Sequence, residues 1–232
     1  MSNFTLIFLL ISTSFYTLVS SSCGVSHSNS NVGPRYFGFN GRFRRSPVVG
    51  GFDTPPTNHP WMASITIKPT GISRCGGVII GSNVILTAAH CVQLSASSYG
   101  ILVGSTFRGH GNHYSVKKIV TAVGYAGNSY HDIALVFTNE AITFNNYVQP
   151  ACVPTTNDLF EGHYGTILGF GSREFSGPPS MSLQEAKVPI LKNSLCNRTY
   201  KSMFSHRQAN GITDDMMCAG YALGGVDSCQ VS

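Results

Sequence analysis

Charged residues are scarce in this chain: Asp, Glu, Lys and Arg make up 11% of its 232 residues, against 42% hydrophobic. That balance excludes a disordered polypeptide, which needs low hydrophobicity and high net charge. No Cys-x-x-Cys pair and no His-Glu-x-x-His stretch occurs, and the eight histidines are scattered, so no metal site is expected and no cofactor is implied. No apolar run reaches the roughly 20 residues of a membrane-spanning helix. No internal repeat is visible. Acidic residues are missing altogether from residues 23–47, which hold Arg35, Arg42, Arg44 and Arg45. This stretch supplies most of the net charge of +5; from Val48 onward eleven basic residues face ten acidic ones. A nearly neutral body argues against a nucleic-acid partner.

What is present begins with MSNFTLIFLLISTSFYTLVSSS. Its apolar stretch around residues 4–11 and the small residues before Cys23 read as a secretory signal peptide, residues 1–22, cleaved near 20–22. A secreted, extracellular protein is expected, with no membrane attachment once the signal is removed. Residues 23–47, rich in Ser, Asn, Gly and Arg without apolar periodicity, read as an exposed pro-region.

From Val48 the texture changes. The 25 glycines and 11 prolines separate short runs rich in β-branched and aromatic residues: ASITIKP, GGVIIG, NVILTAAHCV, YGILVGS, HYSVKKIVTAV, DIALVF, YGTILGFG and LQEAKVPIL. Many short strands between turn signals predict an all-β antiparallel barrel or sandwich. NSLCNRTYKSMF reads as a helix, with Asn193 or Ser194 as N-cap and Leu195, Tyr200 and Met203 as buried positions. Within it, Asn197-Arg198-Thr199 is an N-glycosylation triplet. Seven cysteines in a secreted chain predict disulfides with one thiol left over.

Six stretches follow one another in order: VVGG (48–51), PWMASI (60–65), LTAAHC (86–91), DIAL (132–135), ITDDMMCAGY (212–221) and DSCQ (227–230). Together they resemble the trypsin-like branch of the chymotrypsin family of serine endopeptidases, over the whole of residues 48–230. The resemblance implies a chymotrypsin-like double antiparallel β-barrel. The first barrel would occupy about residues 48–150, and the second, incomplete at the C-terminus, about 151–232. It implies polypeptide substrates or polypeptide inhibitors as partners, and a monomer is expected.

The chemistry explains the residue types. A serine hydroxyl is too weak an acid to attack an amide at neutral pH, so an imidazole takes its proton and returns it to the leaving amine. A carboxylate bonded to the other ring nitrogen fixes the tautomer and supports the imidazolium. By resemblance His90 is that base and Asp132 that carboxylate. Asp227 matches the acid at the base of the primary specificity pocket, which implies cleavage after Arg or Lys, since an unpaired charge in a dry pocket rejects other side chains. The resemblance also implies the disulfides Cys75 with Cys91, Cys196 with Cys218 and Cys23 with Cys152, leaving Cys229 unpaired.

Two departures from the family pattern carry expectations of their own. Pro47 stands before Val48 where the family has Arg or Lys. Cleavage after Arg45 would leave Ser46-Pro47 ahead of Val48, and removal of that dipeptide by an X-Pro dipeptidyl peptidase would expose Val48. The simpler alternative makes Arg44 and Arg45 a charged tail of the pro-region. The second departure follows DSCQ, where the family continues GDSGGP and this sequence reads Val231, Ser232. The nucleophile is expected four residues after Cys229, so Ser232 stands one position short, and the chain as written is expected to be inactive. Three readings stay open: an endopeptidase whose sequence is incomplete, a non-catalytic secreted homologue that binds partners, and a retained-intron product. Gln-Val-Ser can be encoded CAG GTA AGT, the pattern of an exon end followed by the start of an intron.

Overall fold

Alternating burial along the apolar runs builds one closed barrel. Strands β2 (Met62–Ile67), β3 (Ile72–Gly81), β4 (Val84–Thr87), β5 (Tyr99–Val103), β6 (Asn112–Thr121) and β7 (Ala134–Thr138) pair antiparallel in the order β2-β3-β4-β7-β6-β5, and β5 returns to β2. The computed structural model describes residues 23–27, 52–127, 130–155, 160–172, 177–203 and 211–221. Ile65, Ile79, Ile85, Ile101 and Val136 point into the barrel with no exposed surface. Each such side chain contributes about 1.5–3 kcal/mol by leaving water. Tyr99 is buried with them, and its hydroxyl accepts the Leu94 backbone N–H at 2.8 Å, which satisfies its polar end.

Register shifts at Ile65/Thr66, Ile79/Gly81 and Val116/Lys118 are the bulges that bend these strands enough to close the ring. Closure also needs a close approach at Gly77, where a Cβ would meet Ile85 Cγ2 at 2.7 Å.

The second body is an open sheet of four strands among the described residues. Its spine is β9 (Gln184–Leu191), which pairs with β8 (Tyr164–Gly169), with β1 (Phe52–Asp53) and with β10 (Cys218–Ala219). Leu183 and, along β9, Ala186, Val188 and Ile190 are buried. The fold is all-β with few helices, a closed first barrel beside a second sheet, as the chymotrypsin-like expectation requires.

The chain crosses between the two bodies more than once. Because β1 precedes the barrel in sequence yet lies on β9, the residues between them run across the boundary. There His59 Nε2 lies 2.5 Å from Glu185 Oε2, with both side chains mostly buried and the His59 ring edge-on to Trp61. Asp53 Oδ1 accepts from the Ser182 hydroxyl at 2.6 Å and from the amide of the fully buried Gln184. Backbone bonds also cross in both directions: Leu183 N–H donates to Thr106 O, and Arg108 N–H to Met181 O.

The predicted helix is present as α1 (Asn193–Met203). Its expected burial is not: Leu195 is 50% exposed and Tyr200 39%. Polar bonds from Asn193 and Asn197 and the Cys196–Cys218 disulfide hold the helix. Met203 has no described side-chain environment.

Candidate active site

Strand register alone brings His90 and Asp132 to one place. β4 and β7 are neighbours with Thr87 opposite Ala134. His90 lies three residues past Thr87 and Asp132 two before Ala134, so both emerge at the same end of adjacent strands. His90 sits in a short 3-10 turn, Ala89–Cys91, whose flanking Ala89 and Cys91 are buried and fix the turn. Asp132 sits on a tight turn in which Ile133 N–H donates to His131 O at 2.8 Å and His131 adopts a left-handed φ of 52°.

The two residues make a two-point contact. His90 Nδ1–H donates to Asp132 Oδ2 at 2.6 Å, and the His90 backbone N–H donates to Oδ1 at 2.8 Å. Both carboxylate oxygens are therefore committed to one residue, and Nε2 is left as the nitrogen free to take a proton. Asp132 is 23% exposed and His90 41%, so the imidazole is partly open to solvent. The Cys75–Cys91 disulfide closes a short loop next to this ring, with Cys91 Sγ 3.5 Å from His90 Nε2. Those sulfurs and the imidazole cluster within 4.8 Å, but disulfide sulfur lacks the thiolate that a metal needs.

A cleft of 840 Å³ opens between the barrel and the second sheet. Trp61, Gly77, Asp132 and Ile133 line one side, and Leu168 and Met216 the other. Asp215, beside Met216, faces His131 across it, Oδ2 to Nδ1 at 3.4 Å. The Thr213 hydroxyl, donating to Asp215 Oδ1, holds this carboxyl below the usual carboxylate range. Slight burial opposes that shift, while a backbone amide and the nearby His131 add to it.

Of the remaining candidates, Cys196 is joined to Cys218 and Cys23 to Cys152. Gly24 N–H donating to Pro150 O at 2.8 Å seats the second of these on the body. Asn197 lies on α1 with its amide bonded to Ile212. Arg45, Val48, Asp227 and Cys229 lie outside the described residues, as does the predicted signal peptide. Sequence reasoning missed the contacts of His59, Glu185, His131, Asp215 and Asn193. None carries a local signal, because each partner is brought by the fold from a distant part of the chain.

A family model described as Trypsin matches residues 48–231. The chain is similar to the clotting factor G beta subunit of Tachypleus tridentatus, 29% identical over 236 residues, covering 97% of this chain and 76% of that protein. It is also similar to the venom serine protease Bi-VSP of Bombus ignitus, 32% identical over 216 residues and 85% of this chain. To the proclotting enzyme of Tachypleus tridentatus it is 30% identical over 203 residues and 79% of this chain. The chain spans 58% and 52% of the length of these last two relatives. Among solved structures, the scabies mite inactivated protease paralogue S-D1 superposes with a TM-score of 0.68 at 25% identity, covering 76% of this chain and 75% of that one.

Proposed function

Because this chain belongs to the trypsin family, whose model matches residues 48–231, we propose that it carries the base and the orienting carboxylate of a secreted trypsin-like endopeptidase cutting after Arg or Lys. The contact that supports this most is the pairing of His90 with both oxygens of Asp132. An Asp acceptor at Nδ1 holds the proton on that nitrogen, so Nε2 can accept a hydroxyl proton, and the carboxylate then steadies the imidazolium. Asp227 receives the basic side chain of the substrate, and Val48 becomes the N-terminus after cleavage at Arg45 and loss of Ser46-Pro47. Residues 1–22 are the signal, 23–47 the pro-region and 48–232 the peptidase domain, working as a monomer outside the cell. Relatives named for clotting and venom fit that location, and no helix among the described residues is long and apolar enough to cross a membrane.

By family spacing the nucleophile falls four residues after Cys229, so hydrolysis needs a serine that follows Ser232. Without one, the same cleft binds polypeptide and does not cut it. This second reading, a secreted binding homologue, is favoured by the likeness to a paralogue described as inactivated.

The test is expression of the natural transcript in secreting cells, with N-terminal sequencing and an assay on peptide amides bearing Arg, Lys or Gln before the scissile bond. The expected product begins at Val48 and cleaves the Arg and Lys amides, not the Gln amide. A chain that always begins at Ser46 sinks the activation route. Binding of the basic peptides without cleavage selects the second reading.

A further inference from the structure

Helix α1 carries two asparagines four residues apart, Asn193 and Asn197, on one face. Both reach the same segment. Asn193 Nδ2 donates to Met216 O at 2.7 Å and Thr213 O at 3.3 Å, and its Oδ1 accepts from Cys218 N–H at 3.1 Å. Asn197 Nδ2 donates to Ile212 O at 3.2 Å while its Oδ1 accepts from Ile212 N–H at 3.2 Å. Between them Cys196 is bonded to Cys218. Residues 211–218 supply Asp215 and Met216 to the cleft wall opposite Asp132, so this helix holds that wall in place.

Asn197 is also the acceptor of the Asn197-Arg198-Thr199 triplet, and amide geometry sets the two roles against each other. A side-chain amide that pairs with both the N–H and the C=O of one residue must donate the hydrogen on the same side as Oδ1. N-glycosylation forms a bond from sugar C1 to Nδ2. The C1–O bond to the lipid pyrophosphate carrier breaks, the pyrophosphate leaves as an anion, and one amide proton passes to water. The resulting secondary amide is trans, which puts C1 on the Oδ1 side and the remaining hydrogen toward Cβ; the cis form is strongly disfavoured. The sugar thus takes the position of the hydrogen that Ile212 O accepts.

We propose that Asn197 works in the folded protein as an unglycosylated latch on Ile212, and that a glycan there and the native placement of residues 211–218 exclude each other. The proposal stands apart from the proteolytic reading, because its test reads structure and mass and not hydrolysis. The full chain is secreted from eukaryotic cells as wild type, Thr199→Ala, Asn197→Ala and Asn197→Asp. Peptide mass gives occupancy of Asn197, and amide hydrogen exchange gives protection of Ile212.

The expected wild type is unmodified at Asn197, and Thr199→Ala, which removes the triplet but keeps the latch, protects Ile212 equally. Asn197→Ala speeds exchange at Ile212 by about tenfold or more. Asn197→Asp, which keeps the acceptor and loses the donor, falls between. Substantial glycan on Asn197 of the folded protein overturns the proposal, and so does unchanged Ile212 exchange in Asn197→Ala. Should the alanine variant fail to be secreted, equal protection in Asn197→Asp and Thr199→Ala overturns it as well.

Discussion

Asp132 gives both its carboxylate oxygens to His90, one to the ring at 2.6 Å and one to the backbone N–H at 2.8 Å. The ring cannot rotate without breaking the first contact, and the turn that carries it cannot shift without breaking the second. Orientation of the imidazole and placement of its backbone are thereby set by one side chain on the neighbouring strand.

Replacing Asp132 by Asn should separate these two effects, with the proposed peptide-amide hydrolysis as the readout. The amide oxygen can still accept the His90 backbone N–H, so folding should survive, while the amide nitrogen donates to Nδ1 and moves the ring proton to Nε2. The expected fall in kcat is on the order of 10⁴-fold, the scale that the same replacement has in the family's type enzyme. Thermal unfolding alongside the kinetics checks that the loss is chemical. A variant with near wild-type kcat would refute the assigned role.

Removing the Cys75–Cys91 disulfide, whose cysteines lie 16 residues apart, should lower stability by about 3 kcal/mol. For a protein of this size that corresponds to a drop in Tm of roughly 6–12 °C. Calorimetry on the Cys75→Ala/Cys91→Ala double variant measures it.

Two glycines separate space from backbone conformation. A Cβ at Gly111, where φ is 130°, would sit 2.5 Å from the Val103 carbonyl oxygen, whereas Gly109, at φ 78°, has nothing within 4 Å of its Cβ position. Gly109→Ala should cost about 1 kcal/mol for the left-handed conformation alone. Gly111→Ala should cost more, by about 1–3 kcal/mol of forced backbone shift. Equal midpoints in urea would show that the strand pair yields more easily than its geometry suggests.

The His59–Glu185 contact joins the loop before the barrel to the spine of the second sheet. Since both side chains are mostly buried, a double-mutant cycle with His59→Ala and Glu185→Ala should give a coupling of about 1–3 kcal/mol. Additive losses in denaturant unfolding would leave the pair without a stabilising role.

Asp215 supplies a pH dependence of known sign. Its carboxyl is held below the usual range, first by the Thr213 hydroxyl, so its contribution is fully present above the unfolded carboxylate range near about pH 4. It is lost as pH falls through the lower folded value, where both states become protonated. Thr213→Ala should raise the carboxyl titration midpoint seen by NMR. The stability gap between variant and wild type should close on acidification, and a gap that widens would contradict the assignment.

The eight apolar runs were legible as strands because alternation and β-branched residues fit a half-buried pleated surface. β1 and β10, two residues each, were not, because they exist only through pairing with β9. LTAAHC and DIAL pointed to His90 and Asp132 individually; the contact between them follows from the β4–β7 register, which no local pattern encodes. Leu195 and Tyr200 misled for a related reason. Helical spacing says which residues share a face but not whether anything covers it, and here the opposite kind of side chain, the amides of Asn193 and Asn197, does the anchoring.

Cys23 is bonded to Cys152, 129 residues away, and His27 N–H donates to Thr57 O nearby. A single cut anywhere between residues 28 and 51 therefore adds one water to the molecule and releases nothing. Electrophoresis without reductant shows one species before and after such a cut, and a short peptide separates only once thiol is added. Beyond that one water, it is the number of polypeptide chains that tells a nicked protein from an intact one.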